Sequence, residues 1–218
     1  MTDSTRPDRI IVIADHTPGP HQTDAEDNWW WLPVIGPTAT ALAFLLARHA
    51  REVVGVDAAP EALTMAEAAR ARLGLQNVSW LEADVAALSP VADASVDAVA
   101  AIDLVEHIDD PTLAAMLREC RRILKPGGRL GIYTPDRAHY VERMKAHDFL
   151  LKQFPQHIAV RRVAEYRRFL LDAGFAIDLE SWSVSPFPLV RWIERVLSPL
   201  PLFGPTFRYR ILLRAVRP

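Results

Sequence analysis

A single cysteine, Cys120, in 218 residues leaves the chain no internal disulfide and no zinc cluster, and a lone thiol suits a reducing cytoplasm. A surplus of positive charge is also missing. Twenty-five Lys and Arg against 27 Asp and Glu give a formal net charge of −2, which excludes phosphate-backbone neutralisation as the main task, so no nucleic-acid partner is expected. No apolar run reaches the roughly 18 residues that a membrane-spanning helix needs, and the longest candidate, around Ala39 to Ala47, falls well short. The polar start MTDSTRPDRI leads into only a short apolar stretch, Ile10 to Ala14, unlike a signal peptide. Internal repeats and low-complexity tracts are absent. What is present is a composition half hydrophobic and 24% charged, enough for one packed domain.

Residues 1–28 read as an irregular N-terminal segment carrying Pro7, Pro18 and Pro20, in which Ile10 to Ile13 fit a short strand or a helix start equally well. From Trp29 the pattern alternates. Trp30 to Ile35 is strand-like, and Thr38 to Ala50 is an Ala- and Leu-rich helix. Glu52 to Val56 is a β-branched strand, and Pro60 to Leu73 is a helix with Pro at its first turn and Gly74 past its end. Strands follow at Val78 to Leu81, Ser95 to Ile102 and Arg129 to Thr134, with a helix from Asp110 to Leu124 between the last two. Such alternation means βαβ units, a doubly wound parallel α/β sheet, and a ligand at the carboxyl ends of its strands. The last third differs. A helix over Val160 to Ala173 precedes two alternating, antiparallel-type strands, Phe175 to Ser183 and Phe207 to Val216, with a proline-bounded helix, Pro188 to Leu197, inserted between them.

Three clusters of residues fall at strand ends. Asp57 closes VVGVD 21 positions after Gly36, a spacing that suits a carboxylate accepting two hydrogen bonds from a ribose diol, or equally a helix cap. Asp84 and Val85 follow the next strand, where a carboxylate and an apolar cover suit an adenine ring, or a simple turn. In AIDLVEHIDDP, residues 101–111, Asp103, Glu106 and His107 come together; His107 is a candidate general base or a structural histidine, and Asp110 is expected to cap the helix beginning at Pro111. His157 and Tyr133 are lesser base candidates, His157 also reading as a residue leading into the next helix. No metal site is expected. Cys120 shares an apolar helix face with Leu113, Leu117 and Leu124, which makes it a core residue, and Arg161, Arg162, Arg167 and Arg168 read as a solvated face. Trp29, Trp30 and Trp31 read as packing or as a stacking wall for a substrate.

Taken in order, VVGVDAAPEAL, EADV, SVDAVAAIDLVEHIDDP and RRILKPGGRLGIY resemble the class I S-adenosylmethionine-dependent methyltransferases, in particular their small-molecule, quinone-methylating branch. The resemblance covers about residues 30–134 and, more loosely, the C-terminal end. It implies a Rossmann-like, mainly parallel seven-stranded sheet with an antiparallel C-terminal strand pair. It implies S-adenosylmethionine as cofactor, with Asp57 on the ribose, Asp84 and Val85 on the adenine, Ile102 and Asp103 at the methionine end, and Ala58 among the cofactor-binding residues. The first loop departs from the family pattern. Of its glycines only Gly36 survives, Thr38 and Thr40 replace the others, and Val34 stands where an acid is expected. Thr38 is then a cap offering its hydroxyl to the cofactor carboxylate at a helix N-terminus, and Asp24, Glu26 or Asp27 substitute for the missing acid.

The expected organisation is an N-terminal segment, 1–28, and a methyltransferase domain, 29–218, with an amphipathic cap at about 186–201. In that cap Leu189, Trp192, Ile193, Val196 and Leu200 form one apolar stripe, and Arg191, Glu194, Arg195 and Ser198 the other side. The stripe is expected first to roof a hydrophobic acceptor, with homodimer packing and peripheral membrane contact as the other uses. The expected activity is cytoplasmic methyl transfer to a small, partly apolar molecule, with positioning more important than any catalytic side chain. The alternatives are a non-catalytic methyltransferase-like partner or ligand-binding protein, and an enzyme of this fold running a different reaction.

Overall fold

The computed structural model describes residues 6–13, 38–147, 157–185, 188–201 and 203–218, without the side chains of residues 38, 39 and 189. Seven strands form one sheet: β1 (Arg9–Ile13), β2 (Glu52–Asp57), β3 (Val78–Glu82), β4 (Val96–Ile102), β5 (Leu124–Pro135), β6 (Ala176–Ser183) and β7 (Arg210–Val216). Their order is β3-β2-β1-β4-β5-β7-β6. The first five run parallel, while β7 is antiparallel to both β5 and β6. The helices are α1 (Thr38–Leu46), α2 (Pro60–Leu73), α3 (Asp110–Ile123), α4 (Tyr140–Ala146), α5 (Val163–Asp172) and α6 (Pro188–Leu197). The doubly wound sheet with an antiparallel closing pair is the architecture the sequence led us to expect.

The strand β1 corrects the reading of residues 1–28 as irregular. Arg9–Ile13 pairs with β2 on one side and β4 on the other, so the sheet of the domain begins before residue 29. Its alternate side chains feed two cores: Ile11 and Ile13 join Val54, Val56, Leu113, Leu117, Tyr166 and Leu170, while Ile10 and Val12 join Ala43, Ala47, Val53 and Val78 on the other face. A run buried on both faces has no polar alternation to read, which is why the sequence left strand and helix open. The strand-like run Trp30 to Ile35 and the three tryptophans lie outside the described residues.

Geometry requires glycine at Gly74 and at Gly55, for different reasons. Gly74 takes φ 65° past the end of α2, where its N–H closes onto Ala71 O. Gly55 lies in β2 beneath the indole of Trp80, and a Cβ there would sit 2.2 Å from Trp80 Cζ3. At α3 the cap is Asp109, not Asp110, because the Asp109 side chain accepts from Thr112 N at 2.9 Å. Asp110 is the first helical residue and pairs with Arg161 at 2.7 Å. Arg161 therefore leaves the expected solvated face. It is buried, donating to Val105 O at 2.7 Å and Ile108 O at 2.8 Å, whereas Arg162, Arg167 and Arg168 are exposed as expected. Cys120 is fully buried, and burial pushes its thiol up to about 12.

Candidate active site

The sheet order turns between β1 and β4, which places the crevice for a ligand at the carboxyl ends of these strands. Asp57 is the last residue of β2. Its Oδ1 accepts from Ala59 N at 2.9 Å, a turn that carries the chain through Ala58 into α2. Asp57 is in register with Glu82 at the end of β3, and Ala83 N donates to Asp57 O at 3.2 Å. Two residues on, Asp84 Oδ1 accepts from Ala86 N at 2.8 Å while Val85 is buried beside it. The fold thus brings Asp57, Ala58, Asp84 and Val85 to two neighbouring strand tips. Carboxylates held by their own turns, with an apolar side chain between, suit a diol and a flat ring. Gly36, with Asp24, Glu26 and Asp27, lies outside the described residues, and Thr38 is described only as the first residue of α1.

The tip of β4 carries the second group. Ile102 is in register with Tyr133, and Asp103 N donates to Tyr133 O at 3.0 Å. Asp103 has φ 49°, a left-handed conformation that Asp tolerates better than most residues but that still stores strain. Its carboxylate pairs with Arg210 Nη1, at the first position of β7. The Tyr133 hydroxyl shares a 2.8 Å hydrogen bond with Ser183 Oγ, which ties it to β6.

Behind this pair lies Glu106, 1% exposed. One carboxyl oxygen, Oε2, accepts from Thr134 Oγ1 at 2.8 Å, while Oε1 has no hydrogen-bond partner among the described residues. Burial, and then the charge of Asp103, raise this carboxyl to about 7. The adjacent His107 ring meets His157 edge-on, with centroids 4.9 Å apart. Arg161 makes that meeting possible. Its guanidinium holds the carbonyls of Val105, Ile108 and Ala159, and Ala159 N donates to Glu106 O at 3.0 Å. His157 is held down to about 3 by burial, then by His107, Lys145 and Arg210. Glu106, His107 and His157 present ligand atoms all within 4.8 Å of one another, a mixed N/O donor set of the kind that can hold a divalent cation. Arg210 and Lys145 set a positive field that opposes a cation there and also keeps His157 neutral.

Arg210, Thr134 and Arg161 escaped sequence reasoning. A signal existed for Arg210. A final antiparallel strand starts where the parallel strands end, so the charged residue opening it reaches the crevice.

The helix inserted between β6 and β7 has the bounds expected, Pro188–Leu197, but the opposite orientation. Glu194, expected on the outer polar side, is fully buried. It bonds to His139 Nε2 at 3.1 Å and Tyr140 Oη at 3.3 Å, and accepts from Ser185 N at 2.5 Å. The described side chains of the apolar stripe are consequently exposed, Trp192 by 66% and Val196 by 53%.

The sheet order and the closing antiparallel pair form a Rossmann-like architecture shared with S-adenosylmethionine-dependent methyltransferases of known structure. Residues 34–132 match the family model described as a methyltransferase domain. It is similar to the ubiquinone biosynthesis O-methyltransferase of Xanthomonas axonopodis pv. citri, 34% identical over 66% of this chain and 62% of that protein. It is also similar to the protein of the same name from Paracidovorax citrulli, 32% identical over 47% of this chain and 42% of that protein. The chain thus spans less than two thirds of these curated relatives. In fold it resembles an S-adenosylmethionine-dependent methyltransferase from Methanosarcina mazei, with a TM-score of 0.62 and 17% identity over 97% of this chain and 93% of the other.

Proposed function

We propose that this chain methylates a hydroxyl group of a small, partly apolar molecule, using S-adenosylmethionine. The observation that carries the reading is the convergence at one end of the sheet. Two oriented carboxylates occupy the tips of β2 and β3, and Glu106 and His107, which follow the tip of β4, cluster with His157. The relatives' name, O-methyltransferase, supports oxygen as the acceptor atom.

The donor set fits the cofactor. Asp57 and Ala58 would hold the ribose, Asp84 and Val85 the adenine, and Ile102 and Asp103 the methionine end. When bound, the cofactor supplies an electrophilic methyl group on a sulfonium. The work of the chain is to align the acceptor hydroxyl with it and take up the proton. His107 is the proton acceptor in this reading, and His157, kept neutral, packs against it without adding charge. Glu106, with a carboxyl oxygen within 4.8 Å of a His107 ring nitrogen, favours a protonated imidazole when ionised. The single thiol, buried as Cys120, is consistent with a cytoplasmic setting.

Calorimetric titration with S-adenosylhomocysteine and product mass are the tests. Asp57→Ala should weaken product binding by about 2–4 kcal/mol, since a charged acceptor of two hydrogen bonds is removed. His107→Asn should lower kcat by about 10²-fold or more with cofactor affinity retained. Unchanged affinity in the first variant refutes the ribose assignment, and unchanged turnover in the second refutes the base.

A further inference from the structure

We propose that the outward face of α6, continued by Leu200 and Phe203, docks on the surface of an anionic lipid bilayer. In most amphipathic surface helices the apolar face turns inward. Here the inward position is taken by a carboxylate, Glu194, fixed by His139, Tyr140 and Ser185 N. The face opposite Glu194 holds Trp192 and Val196, with Ile193 at one edge and Arg195 at the other, at the 3.6-residue spacing of a helix. Ile193 is 39% exposed, and past the end of the helix Leu200 is 43% and Phe203 59% exposed. Contiguous exposed apolar residues of this size mark a surface that meets another apolar phase.

Charge identifies the phase. From residue 184 to the C-terminus the chain has six arginines and one acid, and that acid is the buried Glu194. Arg210 pairs with Asp103 and Arg214 with Asp178, while Arg208 stacks on Trp182 at 4.0 Å. Arg195 is exposed beside the stripe. An apolar face edged by the exposed Arg195, on a segment whose one acid is buried, complements anionic headgroups over acyl chains. A second copy of the chain fits less well. An isologous contact sets arginines against arginines, and five apolar side chains fall short of the roughly 20 residues that each partner of a stable interface contributes. A ten-residue helix rises about 15 Å, half of a bilayer core, so it lies on the membrane and does not span it.

The helix also has a useful location. It is anchored to His139 and Tyr140, just beyond β5, and His139 packs at 5.3 Å on Tyr209, the neighbour of the crevice residue Arg210. Docking would bring the crevice close to a phase into which a partly apolar acceptor partitions. This last consequence rests on the function proposed above, whereas lipid binding itself does not.

The test is co-sedimentation of the full chain with vesicles of phosphatidylcholine, with and without phosphatidylglycerol, in the absence of cofactor and acceptor. Binding is expected with phosphatidylglycerol and to fall with added salt. Trp192→Ser with Val196→Ser should weaken it by about tenfold or more, and Arg195→Gln by about fivefold. S-adenosylhomocysteine titration, run in parallel, should be unchanged in all three proteins, so failure of the lipid proposal and failure of the cofactor reading are distinguishable. Equal binding of wild type and the double variant overturns the proposal, as does absence of binding to either vesicle. A wild-type dimer that the double variant converts to monomer, with no vesicle binding, assigns the face to a second copy instead.

Discussion

Replacing Glu106 by Gln tests the buried carboxyl behind the crevice, because the two side chains have nearly the same shape. The Gln carbonyl can still accept from Thr134 Oγ1, and its amide occupies the place of Oε1, which has no hydrogen-bond partner among the described residues. In wild type the carboxyl ionises at about 7 in the folded chain against an ordinary value of 4.5. Between those two pH values the folded chain keeps a proton that the unfolded chain has released. The stability contributed by the protonated carboxyl is therefore complete below pH 4.5 and is lost as pH rises through 7. At about 1.4 kcal/mol per tenfold, folding the ionised form is penalised by about 3 kcal/mol at pH 8.5 and by less than about 1 kcal/mol at pH 5. Gln carries no such penalty. The variant should gain about 2–3 kcal/mol relative to wild type between pH 5 and pH 8.5, while the other titrating groups cancel in the difference. Urea unfolding of both proteins at the two pH values reads this directly. A difference between variant and wild type that does not change with pH would refute the argument, since it would mean that Glu106 titrates alike in the folded and unfolded chains.

Gly55→Ala puts a methyl group against the Trp80 ring and should cost about 1–3 kcal/mol of stability. In a Trp80→Ala background the same change should cost little, and equal costs in both backgrounds would remove the steric explanation. Arg161→Met strips the donor from the carbonyls of Val105, Ile108 and Ala159 and from Asp110, and should destabilise by about 2–4 kcal/mol in the same unfolding assay. A change below about 0.5 kcal/mol would place Arg161 on the surface after all.

The strands and helices from Glu52 to Asp110 were legible because their signals are local. A β-branched run ends at an acid, a proline opens α2 and a glycine closes it, and each of these acts within a few residues. The same locality explains why Asp57, Asp84 and Asp103 could be placed at strand tips from sequence alone. What sequence reasoning missed depends on residues distant in the chain. The strand β1 was ambiguous because five apolar residues have no period of their own, and pairing with β2 and β4 on both edges decided it.

Charge burial divides the two sources of information most clearly. Arg161 and Glu194 look solvated in sequence because charged side chains rarely leave water. Each is buried because partners arrive from more than 50 residues away, Val105 O for Arg161 and His139 for Glu194. The position of α6 in the chain and its amphipathic pattern are properties of the sequence, since helical periodicity is written locally. Which face turns outward is not. Hydrophobic burial and a set of hydrogen bonds to one carboxylate compete for the same inward position. The outcome depends on His139, Tyr140 and Ser185 N meeting Glu194, a meeting that exists only once β5, β6 and the helix have come together.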